Sequence, residues 1–312
     1  MILKMGSGHL TGKESKTHRS GFVALVGRPN VGKSTLLNSL LGQKIAIVSP
    51  KPQTTRTAIR AILTRDEMQV IFIDTPGLHR PRHELGRSMI RAARAALQES
   101  DLACFIVEAH CRPGPGDNHI AASLQETSGP VFLVLNKADL AAPEQLQSNR
   151  LLYRDLYPFA DCFTLSALRG EGLEPLLNAI AACLPEGPRY YPPEMITDQP
   201  ERFIAAEIIR EKIIHLTREE IPHAIAVVVE EISPREGREL LDLRAHIFVE
   251  RESQVGIVIG KGGRLLKDAG SAARREIEVL FGRQVYLDLR VKARRDWRNR
   301  ERLLREWGYK ET

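Results

Sequence analysis

Gly27-Arg-Pro-Asn-Val-Gly-Lys-Ser34 decides the fold. It fits the pattern GxxxxGK[ST] and lies between an apolar run, Phe22–Val26, and a helical stretch, Lys33–Leu41, the strand–loop–helix setting this pattern needs. Its glycines let the loop close tightly and turn amides inward onto phosphate oxygens, and the following helix adds its positive N-terminal end. The candidate phosphate-binding residues are Gly27, Arg28, Pro29, Asn30, Val31, Gly32, Lys33, Ser34 and Thr35. Lys33 is expected to reach the β- and γ-phosphates and the Ser34 hydroxyl to ligate Mg²⁺.

Around this loop, residues 21–187 alternate short apolar runs with helical stretches. Strands are expected at Phe22–Val26, Ala58–Leu63, Met68–Ile73, Leu102–Val107, Val131–Leu135 and Cys162–Leu165. Helices are expected at Lys33–Leu41, Gly86–Glu99, Asp117–Glu126, Glu144–Leu156 and Leu173–Cys183. Successive βαβ units predict an α/β fold, a doubly wound and mostly parallel sheet. The Ala58–Ile73 pair is too closely spaced for a crossover, so one strand runs antiparallel.

Three further motifs stand at strand ends. Asp74-Thr75-Pro76-Gly77 follows Met68–Ile73, where a carboxylate can hold a Mg²⁺-bound water and Gly77 can offer its amide to the γ-phosphate. Asn136-Lys137-Ala-Asp139 selects the base. Asp139 can accept from guanine N1–H and its 2-amino group, whereas adenine would leave a buried carboxylate unpaired. The stem of Lys137 can cover the base, Asn136 can tie this loop to the phosphate loop, and the amides of Ser166-Ala167-Leu168 can meet the 6-oxo group. Between the first helix and the hairpin, Gln53, Thr54, Thr55, Arg56 and Thr57 belong to a polar loop suited to a nucleotide-dependent switch. Thr55 is the expected second hydroxyl ligand of Mg²⁺, with Thr54 the neighbouring alternative. Together these signals predict a GTP/GDP site and disfavour an ATP-dependent kinase.

The chain has 312 residues, enough for two domains. With 27% charged and 43% hydrophobic residues it is not a disordered chain. No apolar run approaches a membrane span, residues 1–20 lack a signal-peptide core, and four cysteines without CxxC spacing read as mostly buried, reduced thiols in a cytosolic protein. Residues 1–20 read as a flexible leader and 188–200 as a linker rich in proline nearby.

The second half has a different order. A helix at Glu201–Leu216, with an apolar stripe at Phe203, Ala206, Ile209, Ile213 and Leu216, precedes strand-like runs at His223–Ile232 and Leu240–Glu250. A short apolar piece, Gln254–Ile259, leads through Gly260-Lys261-Gly262-Gly263 into a helix, Arg264–Phe281, and a strand, Gln284–Val291. This α-β-β-α-α-β order with GxxG resembles a type II KH domain, at 201–291, whose loop clamps single-stranded RNA. Lys261, Arg264 and Lys267, with Arg274 and Arg275, outweigh Asp268 and give the loop region the basic track that such binding needs. The basic tail, 292–312, interleaves Trp297, Trp307 and Tyr309 with arginines. Packing of the tryptophans on the KH sheet is the favoured reading, with RNA contact for some arginines.

GRPNVGKST with PQTTR, DTPGL and NKAD resembles the Era branch of the translation-factor-related GTPases, and the likeness runs from about residue 20 to 310. The resemblance implies a GTPase with slow intrinsic hydrolysis, because Leu78 stands where signalling GTPases often carry a catalytic glutamine. It also implies K⁺ near Asn30, a monomer, binding of the 16S rRNA 3′ end, a role in 30S subunit assembly, and a cytoplasmic protein peripherally associated with the inner membrane. Where the family often has lysine before the second glycine of GxxG, this chain has Gly262. The competing reading is a constitutive RNA-binding module whose nucleotide domain serves only structure; intact Lys33, Ser34, Asp74 and Asp139 count against it.

Overall fold

The phosphate loop leaves a strand, β1 (Arg19–Val26), and enters a helix, α1 (Lys33–Leu41), bounded by left-handed glycines at Gly32 and Gly42. The structure, a computed structural model, describes residues 18–51, 54–77, 81 and 83–310. The expected leader up to residue 17, Gln53 and Leu78 lie outside the described residues.

After α1 come β2 (Ile59–Arg65), β3 (Met68–Asp74), α2 (Glu84–Glu99), β4 (Leu102–Glu108), α3 (Pro115–Ser123), β5 (Val131–Asn136), α4 (Pro143–Arg154), β6 (Asp161–Thr164) and α5 (Leu173–Cys183). The six strands form one sheet in the order β2-β3-β1-β4-β5-β6, parallel except for the β2–β3 hairpin. Buried aliphatics cover both sheet faces, which is why the strands read as unbroken apolar runs. Because β1 has β3 on one side and β4 on the other, the chain leaves in opposite directions at its carboxyl end and opens a crevice there.

β1 starts at Arg19, inside the segment read as leader. The connecting segment is fastened to the first domain: Ser20 N–H donates to Pro185 O at 3.1 Å, Ile62 N–H to Ile196 O at 2.9 Å, and Gln69 Oε1 accepts from Tyr190 and Tyr191 N–H. All four cysteines are free, but only Cys104 is buried, which corrects the expectation of mostly buried thiols.

The second domain runs α6 (Glu201–Leu216), α7 (Ile221–Ala224), β7 (Ala226–Pro234), β8 (Leu240–Val249), α8 (Glu252–Ile259), α9 (Arg264–Phe281) and β9 (Gln284–Ala293). β7 and β8 are antiparallel, β8 and β9 parallel. Two expectations need correction. His223 belongs to the short helix α7 and not to the strand, since Pro222 near its start pre-sets a helical turn. Leu216 is exposed, while Glu207, Arg210 and Glu211 are buried, so α6 is covered on more than its apolar stripe.

After β9 the tail forms a turn at Trp297–Asn299 and α10 (Glu301–Glu306). Trp297 is fully buried and donates its indole N–H to Ala224 O at 2.9 Å. With Leu304 and Tyr309 it packs against Phe248 of the second sheet and Leu85 and Met89 of α2, so the tail is a wedge between the two domains.

Candidate functional site: a phosphate loop joined to the second domain

The crevice at the end of β1 is a cavity of about 430 Å³, a size that suits a small ligand. Its wall is the loop Pro29–Thr35, with Thr54, Thr55, Gly77 and Lys137 facing it. Gly32 has φ +99°, and a Cβ there would stand 2.3 Å from Asn136 Nδ2, so the loop admits no side chain at this point. At Gly77 a Cβ would lie 2.7 Å from Pro29 N, which shows how closely this segment approaches the phosphate loop.

Three hydroxyl and carboxylate groups converge at the loop's end. Ser34 Oγ donates to Asp74 Oδ2 at 2.6 Å, Thr55 Oγ1 donates to the same oxygen at 3.3 Å, and the two hydroxyls are 3.1 Å apart. Asp74 is fully buried, and its Oδ1 has no hydrogen-bond partner among the described residues. Burial pushes its carboxyl above the usual range, against the pull of Lys33, Ser34 and Thr55. A cluster of hard oxygen donors with an unmet carboxylate fits a Mg²⁺ ion. Thr55, not Thr54, stands in this cluster; Thr54 Oγ1 donates to Lys51 O at 2.7 Å.

Lys33 folds back over the loop, donating to Gly27 O at 3.1 Å and Arg28 O at 3.0 Å. Burial lowers its ammonium to about 8, with Asp74 pulling the other way. Arg28 turns away to pair with Asp117 at 2.8 Å, and Val31 is buried. Thr75 Oγ1 donates to Leu25 O at 2.7 Å, and Pro76 is buried beside it. Asn30 has φ 67° and donates its side-chain amide to Pro50 O at 2.8 Å.

On the base side, Asn136 Nδ2 donates to Val31 O at 2.9 Å while its Oδ1 accepts from Ala167 N–H at 2.9 Å. One side chain thus joins the phosphate loop to Ser166–Leu168. Ser166 Oγ donates to Asp139 Oδ1 at 2.6 Å, which lowers the Asp139 carboxyl. Lys137, in a left-handed conformation, donates to Asn30 O at 2.7 Å and pairs with Glu108. Ser166 N–H and Ala167 N–H are both taken within the protein, so of the three amides proposed for a base oxygen, Leu168 N–H is the one without a partner among the described residues. Glu108 had no signal in the sequence, since a carboxylate at a strand end resembles any solvated one.

The expected switch segment divides between the two domains. Thr55 faces the phosphate loop, whereas Arg56 is buried against the second domain and Thr57 lines an interdomain cavity. Arg56 donates to Ile225 O at 2.5 Å, Pro222 O at 3.1 Å and His223 O at 3.2 Å, and lies over Trp297 and Tyr309. Burial, and then neighbouring Arg210, push this guanidinium down to about 10. From α6, Arg210 donates to Thr54 O and pairs with Glu207, and Glu211 accepts from Val48 N–H at 2.9 Å and from Lys44 at 2.5 Å.

In the second domain, Gly260, Gly262 and Gly263 all have positive φ, and Gly263 caps α9 without a side-chain hydrogen bond. The first amides of α9 thus have no side-chain cap, and Lys261, Arg264 and Lys267 beside them are exposed.

A family profile described as 50S ribosome-binding GTPase matches residues 22–137, and one described as KH domain matches 220–298. GTPase Era of Carboxydothermus hydrogenoformans is 51% identical over 295 residues, spanning 95% of this chain and 99% of that protein. GTPase Era of Thermoanaerobacter pseudethanolicus is 49% identical over 292 residues, spanning 94% and 97%. Two solved structures cover 94% of this chain and 99% of their own, each with a TM-score of 0.91. One is Era in complex with MgGDPNP and nucleotides 1506–1542 of 16S ribosomal RNA, at 42% identity, and the other an Aquifex aeolicus Era variant bound to GDP and AlF4⁻, at 41%. With about half of its residues shared along nearly the whole of both relatives, the chain belongs to the Era family of GTPases.

Proposed function

We propose that this protein is a GTP-hydrolysing switch that binds the 3′ end of 16S rRNA through its KH domain and assists assembly of the 30S subunit. The observation that carries the reading is the run Thr54–Thr55–Arg56. Its middle hydroxyl stands beside Ser34 and Asp74, while its flanking residues are held by α6 and α7. A change at the phosphates therefore acts on a segment that the KH domain also grips.

Ser34, Thr55 and, through water, Asp74 would hold Mg²⁺. When bound, that ion neutralises charge on the phosphate oxygens. Lys33 would exchange the carbonyls of Gly27 and Arg28 for phosphate oxygens. Asp139, fixed by Ser166, is oriented to accept from guanine, and Asn136 holds the base-side loop in register with the phosphate loop. At Asn30 the amide nitrogen is engaged with Pro50 O, so Oδ1 remains as an oxygen ligand for K⁺. Phosphoryl transfer depends chiefly on such positioning and charge neutralisation, and requires no side-chain base.

For RNA, the three positive-φ glycines bring strand phosphates up to the α9 amides, and Lys261, Arg264 and Lys267 supply counter-charge. With ribosomal RNA as its partner, the proposed work is cytoplasmic. Among the described residues no helix is long and apolar enough to cross a membrane. The test is steady-state GTP hydrolysis in K⁺ buffer, with and without an oligonucleotide copying the 16S rRNA 3′ end. Stimulation by that RNA and not by a scrambled one is expected. RNA that binds without altering hydrolysis would leave two independent activities and overturn the switch.

A further inference from the structure

In β8 and β9 the odd-numbered residues face α6, α8 and α9, so the even-numbered ones point to the opposite face of the second sheet. On that opposite face, away from the GxxG loop between α8 and α9, lies a concavity of about 410 Å³. At its base Phe248 and Trp307 are stacked, with ring centroids 4.4 Å apart and planes 9° from parallel. Lys292, Arg294, Arg300 and Arg302 surround them, against Glu230 and Glu306.

Seven of the tail's eight cations fall into two sets, and the eighth, Arg295, is exposed and does not line the concavity. Arg298 pairs with Glu250, Arg305 with Glu301, and Lys310 with Glu84 and Glu301. Lys292, Arg294, Arg300 and Arg302 are exposed, and none has an ion pair among the described residues; Arg294 alone leans over the Phe248 ring, at 5.9 Å. Of the two acids, Glu230 is already engaged by His246 at 2.5 Å. Four unpaired like charges around one hollow repel each other and raise a local positive potential that a polyanion relieves. Beneath them Trp307, half-buried and backed by Phe248, is the ring that can offer a π-face to a base. A flat lipid surface could meet the rim cations but not the recessed rings, as Phe248 is only 7% exposed.

We infer that this concavity is a second RNA-contacting surface, in which Lys292, Arg300 and Arg302 hold phosphates of a single strand while a base stacks on Trp307, the half-buried ring of the pair. The inference rests on the reading that the KH domain binds RNA. A GxxG loop clamps about four nucleotides, so any longer strand needs a further surface.

The test uses the full chain with Lys292→Gln, Arg300→Gln and Arg302→Gln combined; all three side chains are exposed, and near-UV circular dichroism checks the fold. Affinity is measured against salt for an RNA copying nucleotides 1506–1542 of 16S rRNA and for a hexanucleotide from its 3′ end. Three lost contacts, at about 0.7 each, reduce the salt slope for the long RNA by about 2 and its affinity by up to about 50-fold near physiological salt. Hexanucleotide binding stays at the wild-type value. Unchanged slope and affinity for the long RNA would overturn the inference, as would an equal loss on the hexanucleotide, which would mean that the tail acts on the loop. Loss of binding to phosphatidylglycerol vesicles with an unchanged RNA slope would identify a lipid contact and also overturn it. Gly262→Asp, at a φ of 61° with nothing near its Cβ position, separates the underlying reading: if it leaves hexanucleotide binding intact, the GxxG assignment fails whatever the tail does.

Discussion

Replacing Arg56 with alanine tests whether the switch segment is anchored in the second domain. The guanidinium makes three hydrogen bonds, to Ile225, Pro222 and His223 carbonyls, in a buried setting. A hydrogen bond from a charged donor contributes about 1.5–3 kcal/mol, but three sharing one guanidinium are not additive, and burying the charge offsets part of the gain. About 3–4 kcal/mol of local stability is therefore expected to disappear, a roughly 10²–10³-fold rise in the opening equilibrium. Native-state amide exchange reads this directly. Val48 N–H, held by Glu211, and Ala224 N–H, held by Glu220 O, should exchange faster together by that factor, while β3 and β5 amides keep their protection. Arg56→Lys, which keeps charge but not the fork of donors, should fall between. Unchanged protection at Ala224 would refute the anchor. Acceleration spread equally over the chain would show general destabilisation and refute it too.

Asp139→Asn replaces an acceptor by a mixed donor and acceptor, so GTP affinity should fall by roughly 10²–10⁴-fold while xanthosine triphosphate gains, as competition binding would show. Thr55→Ala should weaken the Mg²⁺ dependence of GTP-analogue binding and leave GDP binding nearly unaltered, read by titration with and without the metal. Hydrogen bonds from Arg91 and then Arg87 draw the Glu84 carboxyl from 4.5 down to about 2. Its contribution is present above the unfolded value and is lost as pH falls from about 4.5 to about 2. Tryptophan emission from the interdomain wedge should report this loss, and Glu84→Gln should flatten it; an identical acid transition in the variant would contradict the assignment.

Much of the fold was legible because its boundaries are local. α1, α5 and α9 begin after left-handed glycines, α6 begins after Pro200, and all four match the ranges expected from sequence. The phosphate motif was legible for the same reason, since its geometry resides in eight consecutive residues. The second coat of α6 was not. Glu207, Arg210 and Glu211 look like any solvated face until Thr54, Val48 and Lys44 arrive from more than a hundred residues away. Likewise the run from His223 reads as one strand on apolarity alone, and only Pro222 hints at the helical turn that supplies carbonyls to Arg56.

The two interdomain contacts differ in what it costs to part them. Around α2 the join is mainly apolar, with Leu85 and Met89 against Trp297, Leu304 and Tyr309, beside the Ser88–Tyr309 hydrogen bond and the Lys310–Glu84 pair, and exposing such apolar side chains costs roughly 1.5–3 kcal/mol each. At α6 and α7 it is built from Arg210, Glu207 and Glu211 with Thr54 O and Val48 N–H, and from Arg56 with the carbonyls of Pro222, His223 and Ile225. Charges released into water regain hydration that offsets the hydrogen bonds they lose, so a buried ionic contact separates at a smaller net cost than its number of bonds suggests. Removing one partner in place is a different matter, because the other charge stays buried and unmet. A segment that must respond to the phosphates needs a firm grip when formed and a low cost of release. Polar anchoring at α6, beside an apolar wedge at α2, meets both requirements, whereas leucines in place of Arg56 and Arg210 would fix the switch segment in one position.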